Sequence, residues 1–208
     1  DKDGGSNDFI IGSVTHVRQS KKLESKILIL DYLPEGKGFG QTKQREPIVQ
    51  GIGCTWFSIL EISAERRGGF KQLDEYSVPK GIESGPLKQV KRRISISDLT
   101  NTAHEALEKA IINIVDTNEK RFVSFFNKAQ PITNRIHSLQ LIPGIGKKLM
   151  WEIIDDRKRL PYLSFSDIEE RVKVSDIRKM ILNRIKQELE KEQKHRLFTA
   201  SLEPNPRR

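Results

Sequence analysis

The sequence predicts an α+β protein, a small antiparallel β-barrel followed by an all-α half. Three observations carry this. The first eighty residues hold short β-branched runs separated by glycine-marked turns. From about residue 98 the apolar residues recur at helical spacing. That helical pattern is then cut at Pro143-Gly144-Ile145-Gly146 and restarts at once.

In chain order, residues 9–18 are β-branched and roughly alternating, the pattern of a half-buried strand, and Lys26 to Leu33 reads as a more fully buried one. Pro34 to Glu46 is polar, with Gly36, Gly38 and Gly40, and is expected to be a long mobile loop of the kind that carries binding function. Pro47 opens a third strand through Gly53, and Thr55 to Ser63 is its neighbour. Tyr76-Ser77-Val78 is a short last strand after the turn at Glu65 to Gly69. Strands of this size and number suit an OB-like barrel over residues 8–87, a common nucleic-acid-binding form. Strand alternation would place Trp56 and Phe57 on opposite faces, one in the core and the other open for base stacking.

Residues 88–131 read as a basic connector and helices. Lys88 to Arg93 carries four positive charges in six residues. Lys91, Arg92 and Arg93 are either phosphate contacts or a solvated linker. Asp98 and Thr102 are candidate helix caps, and Thr102 with Glu105 has capping-box spacing. Leu107, Ala110, Ile111, Ile114 and Val115 form one apolar face, and Phe122, Phe125, Phe126 and Ala129 another, ending at Pro131.

A helix over Ile132, Ile136 and Leu139 is expected to run up to Pro143, with a second helix carrying Leu149, Ile153 and Ile154 after the glycines. Amides at the start of that second helix have no internal partner and carry the positive end of the helix dipole, so a phosphate oxygen suits them. Lys147 and Lys148 oppose the dipole there and make sense beside an external anion. The bland alternative is a plain turn with Ile145 plugging the core and both lysines solvated. The stretch resembles the helix-hairpin-helix motif of nucleic-acid-binding proteins, whose hairpin reads Pro-Gly-Ile-Gly before a basic residue. That resemblance marks Gly144, Ile145, Gly146, Lys147 and Lys148 as phosphate contacts. A second, degenerate hairpin follows between a short helix ending at Val172 and a longer one from Ile177. The helix-hairpin-helix domain is thus placed at 132–190, and the charged tail 191–208 is expected to fray.

The partner class follows from charge. The 208 residues carry net charge +9, with 36% hydrophobic and 31% charged residues, a balance that favours a polyanion. One cysteine, Cys54, excludes an internal disulfide, and His16, His104, His137 and His195 are too scattered to bind a metal, so no cofactor is expected. The adjacent carboxylates Asp155 and Asp156 point about 100° apart on a helix and precede Arg157 and Lys158, which reads as a solvated acidic turn. No phosphate-loop or nucleophile-elbow pattern is present, and the protein is expected not to be an enzyme. No apolar run is of membrane-spanning length, so a cytoplasmic protein without membrane contact is expected.

Five strings, Leu30 to Gly36, Arg45 to Gln50, Val90 to Ile94, Asn127 to Thr133 and Leu141 to Ile154, resemble the archaeal domain-of-unknown-function family number 655 over roughly residues 9–190. That resemblance implies a barrel-like domain joined to a helix-hairpin-helix domain, nucleic-acid binding, and, by gene neighbourhood, translation or ribosome maturation. The expected function is therefore non-catalytic binding of RNA, ribosomal RNA or the ribosome foremost. The alternative is a DNA-structure binder or the targeting part of a DNA repair activity. Oligomeric state is left open.

Overall fold

The structure, a computed structural model, describes residues 22–37 and 45–201. The expected strand at 9–18 and the middle of the expected loop, 38–44, lie outside the described residues. Five strands, β1 (Lys26–Leu33), β2 (Ile48–Gly53), β3 (Ile59–Ala64), β4 (Glu75–Ser77) and β5 (Leu87–Ile94), precede five α-helices. The helices are α1 (Asn101–Thr117), α2 (Glu119–Lys128), α3 (Lys147–Arg159), α4 (Phe165–Val172) and α5 (Ile177–Glu190).

All strand pairs are antiparallel, in the order β4-β1-β2-β3-β5. Among the described residues the sheet is open, with β4 and β5 on opposite edges, rather than a closed barrel. α1 covers one face of it, against β1 and β2. β1 buries both sides: Leu28 and Leu30 pack toward the helices, while Ile27 and Ile29 join Val49, Leu60 and Ile62 on the opposite face. Alternating side chains on a strand lined with apolar residues produce this split directly.

The residues read as a basic connector are β5. It pairs with β3 from Ile59↔Ile94 to Ala64↔Leu87, with two irregularities that skip Lys91 and Lys88. Trp56 and Phe57 are likewise not on a strand. They occupy the turn between β2 and β3, where Phe57 adopts φ +57° and is fully buried. Glu24 holds this turn by accepting the amides of Thr55, Trp56 and Ser58 at 2.9–3.0 Å.

The N-cap of α1 falls midway between the two expected caps, two residues after Asp98 and two before Thr102: Thr100 accepts from the Ala103 amide at 3.1 Å. Its apolar stripe, Ala103, Leu107, Ala110, Ile111 and Ile114, is buried between β1 and α5. One apolar cluster consequently runs from Leu28 and Phe57 through α1 and α2 to Ile181 and Ile185 of α5. A polar network seals the same junction. The Thr100 hydroxyl donates to Asp31 at 2.6 Å, and Gln50 accepts the Thr100 amide and donates to Glu61.

Residues 195–201 are not frayed. Phe198 is buried against Phe122 and Phe125, and the Ala200 amide donates to the Trp56 carbonyl at 3.2 Å. Glu188, fully buried on α5, anchors this segment by accepting the Leu197, Phe198 and Thr199 amides, the Thr199 hydroxyl and Arg184 Nε. Five donors satisfy a carboxylate that would otherwise be costly to bury. Among the described residues no helix is long and apolar enough to cross a membrane.

Candidate nucleic-acid interface

The helix expected before Pro143 is a four-residue 3-10 turn, Ser138–Leu141. Thr133 is the reason the chain does not coil earlier. Its hydroxyl accepts the amides of Arg135 and Ile136 at 3.2 and 3.1 Å, and such local bonds compete with helix hydrogen bonding. His137 then caps the 3-10 turn, Nδ1 accepting from the Leu139 amide at 3.1 Å. Burial, followed by the nearby Arg157 charge, holds the His137 pKa below its ordinary value, so the ring stays neutral and able to accept.

From there to α3 the backbone is held firmly. Ile142 and Ile145 are buried, the Ile145 amide donates to the Ile142 carbonyl at 3.0 Å, and Arg184 of α5 donates to the Leu141 carbonyl at 3.2 Å. Ile145 therefore does plug the core, as the plain-turn alternative requires. The two glycines between these anchors have different reasons to be there. Gly144 has φ +94°, a conformation that L side chains rarely adopt, and a Cβ on it would come 2.9 Å from Met180 Cε. Gly146 has φ −78° and ψ 178°, open to any residue, and a Cβ on it would meet nothing within 4 Å. Only Gly144 is demanded by the fold.

Gly146 is also the N-cap of α3 and supplies no capping oxygen, whereas Thr100, Ser164 and Asp176 cap α1, α4 and α5 with their side chains. The first-turn amides of α3 face outward uncapped, with the exposed Lys147 and Lys148 among them. Lys148 reaches Glu152 only at 3.9 Å with its side chain 93% exposed, and Lys147 makes no ion pair among the described residues. Positive dipole end, free amides and two cations coincide here, an arrangement complementary to an anion.

The other predicted cations are elsewhere and already engaged. Arg92 Nε donates to Glu61 at 2.7 Å, Lys91 pairs with Glu46 at 2.8 Å, and Arg93 donates to Ser58 and the Ser201 carbonyl. Burial pushes the Glu61 carboxyl up, but hydrogen bonds from Arg92, Lys37 and Gln50 outweigh it and its pKa lies below the usual carboxylate value. The partners of Lys91 and Arg92 lie on the sheet and the chain beside it, Glu46 and Glu61, not on the 144–148 turn. Trp56 is not an open platform either, since Lys22 lies 4.5 Å and Arg121 5.5 Å from its ring centre. Asp155 and Asp156 are paired with Lys158 and Arg171. No group of His, Cys, Asp or Glu among the described residues is arranged to hold a metal. Burial, then the charges of Glu75 and Glu24, push the Cys54 thiol up to about 11, so it carries no thiolate chemistry at neutral pH.

Residues 23–200 match the family described as a protein of unknown function, DUF655. The chain belongs to the DUF655 family. This DUF655 protein is 36% identical over 178 residues to the uncharacterized protein MJ0038 of Methanocaldococcus jannaschii, covering 86% of this chain and 80% of that one. It also resembles the crystal structure of Af1531 from Archaeoglobus fulgidus, at 38% identity and a TM-score of 0.76 over 85% of this chain and all of that one. The α+β fold is thus shared with a crystallised archaeal relative.

Trp151 is the residue that sequence reasoning passed over in this DUF655 chain. It is 51% exposed on α3, whose buried residues are Met150 and Ile153. The signal was present in the sequence as a large aromatic lying off the apolar stripe.

Proposed function

We propose that this protein is a non-catalytic RNA-binding factor that grips phosphates with the Gly144–Lys148 turn, working as a helix-hairpin-helix despite its shortened first helix. The observation that carries this reading is Gly146. A glycine with unremarkable backbone angles and empty space around its missing side chain is required neither by the turn's geometry nor by packing, and beyond capping α3 it sits where an anion would approach the free amides of that helix. Lys91, Arg92 and Arg93 leave the proposed site because their charges serve the sheet edge.

Backbone amides grip the same oxygens in RNA and DNA, so the polymer is chosen by other contacts. RNA is favoured because nothing among the described residues is arranged as a paired recognition helix for a DNA major groove. Ribosomal RNA or the ribosome is the foremost target, from the family's implied link to translation.

The test is the Lys147→Glu, Lys148→Glu double variant in a titration of affinity against salt. With about 3–4 phosphates neutralised, log K falls against log salt with a slope near −3 in the parent, and the variant lowers both affinity and slope. An unchanged affinity and slope would refute the grip. In competition at about 150 mM salt, structured RNA is expected to outcompete duplex DNA of equal length. Duplex DNA winning at equal concentration would instead assign the protein to DNA-structure binding or to targeting in DNA repair.

A further inference from the structure

Trp151 stands apart from the other aromatic residues. Tyr32, Phe70 and Tyr76 pack on one another with ring centres 5.0 and 5.2 Å apart, Tyr162 is buried under Arg171 at 4.4 Å, and Trp56 lies against two cations. Among the described residues Trp151 is the one aromatic with half of its surface open to solvent, and its ring packs on neither another ring nor a cation.

Its position is as informative as its exposure. In α3 it follows Lys147 by four residues and Lys148 by three, the spacings that stack side chains on one helix face. Four residues rise about 6 Å along the axis, and helical side chains lean toward the N-terminus, so the indole is inclined toward the phosphate-gripping turn. Its neighbours at those spacings are Lys147, Lys148, Ile154 and Asp155, three of them charged. That setting does not suit an apolar protein partner, which would need a contiguous apolar patch. A nucleotide does suit it, because it is anionic at one end and flat and aromatic at the other.

We infer that Trp151 is a stacking platform for an unpaired base whose phosphate is held at Gly146–Lys148, so that this interface takes single-stranded or bulged RNA. This rests on the phosphate reading above and adds base geometry to it. In a duplex the bases stack on one another and their faces are closed to the indole. A splayed nucleotide presents its phosphate to the amides and its ring to Trp151 together.

The experiment uses the full chain, a short unstructured RNA strand, and the same strand annealed to its complement, at about 150 mM salt. Trp151→Ala is expected to weaken binding of the unpaired strand by about 5- to 150-fold, the range of one base–aromatic stack, and to leave duplex binding unchanged. Trp151→Phe restores most of the loss, and the salt slope stays at the parent value because no charge is removed. Equal loss on both RNAs, or no loss on either, overturns the inference. The lysine double variant separates the two claims. If it weakens binding while Trp151→Ala does not, stacking is refuted and the phosphate grip stands; if neither weakens binding, both fall. Melting temperatures of the Trp151 variants should match the parent, since the ring is exposed.

Discussion

Replacing each hairpin glycine by alanine, one at a time, separates what the fold requires from what a ligand requires. At Gly144 an alanine must hold φ +94°, which costs of order 1–3 kcal/mol, partly offset by about 0.4–1 kcal/mol from a less flexible unfolded chain. The contact with Met180 Cε adds little, because that methyl group can move. A net loss of about 1–2 kcal/mol lowers the melting temperature by roughly 2–8 °C in a domain of this size. At Gly146 the backbone accepts any residue and the new Cβ meets no neighbour. The same unfolded-state gain there is cancelled by alanine being a poorer N-cap than glycine, by roughly 0.5–1 kcal/mol. Its melting temperature should stay within about 2 °C of the parent. Binding should reverse the order of interest. A methyl group at 146 stands in the path of the anion, and losing one charge-assisted hydrogen bond weakens RNA affinity roughly tenfold. Melting followed by circular dichroism and affinity by fluorescence anisotropy give both readouts. A Gly146→Ala protein that melts several degrees lower yet binds RNA normally would refute the assignment of this glycine to a ligand.

Two other outcomes follow from buried carboxylates. Glu61 has a lowered pKa, so its contribution to stability is full above the unfolded glutamate value near about 4.3 and is lost as pH falls through its folded value. Glu61→Gln should cost about 1–3 kcal/mol at neutral pH, since the half-exposed Arg92 can turn to water, and should flatten the acid limb of melting temperature against pH; superimposable acid limbs would contradict this. Glu188→Ala leaves Arg184 Nε and the Leu197, Phe198 and Thr199 amides without their acceptor, although Arg184 keeps the Leu141 and His195 carbonyls, costing about 3–5 kcal/mol, or roughly 6–20 °C, and should speed tryptic cleavage after Arg196. A melting temperature within a few degrees of the parent would show that this carboxylate is dispensable.

Where apolar spacing was uninterrupted, the sequence was readable. β1, the α1 stripe from Leu107 to Val115, and the Ile177, Ile181, Ile185 series of α5 all occur where their patterns place them. β5 was hidden because two irregularities break its alternation and its cations face partners distant in sequence, Glu46 and Glu61. The 3-10 turn before Pro143 was hidden because Ile132, Ile136 and Leu139 keep helical spacing while the Thr133 hydroxyl diverts the amides. At the candidate site the residues 144–148 and their order were legible. The division of labour between Gly144 and Gly146 was not, because it depends on φ and on the space beside each one.

The docking of residues 195–201 also bears on how the molecule reaches its native state. Arg93 on β5 donates to a carbonyl 108 residues further along, and Phe198 fills a gap between the rings of Phe122 and Phe125. During synthesis the sheet and all five helices emerge before that segment exists. Until it does, Phe122, Phe125 and the Trp56 carbonyl lack the cover it provides. Contacts of such long sequence separation form slowly. A nascent chain paused before residue 195 leaves those apolar rings without this cover and should be more open to aggregation than the folded protein.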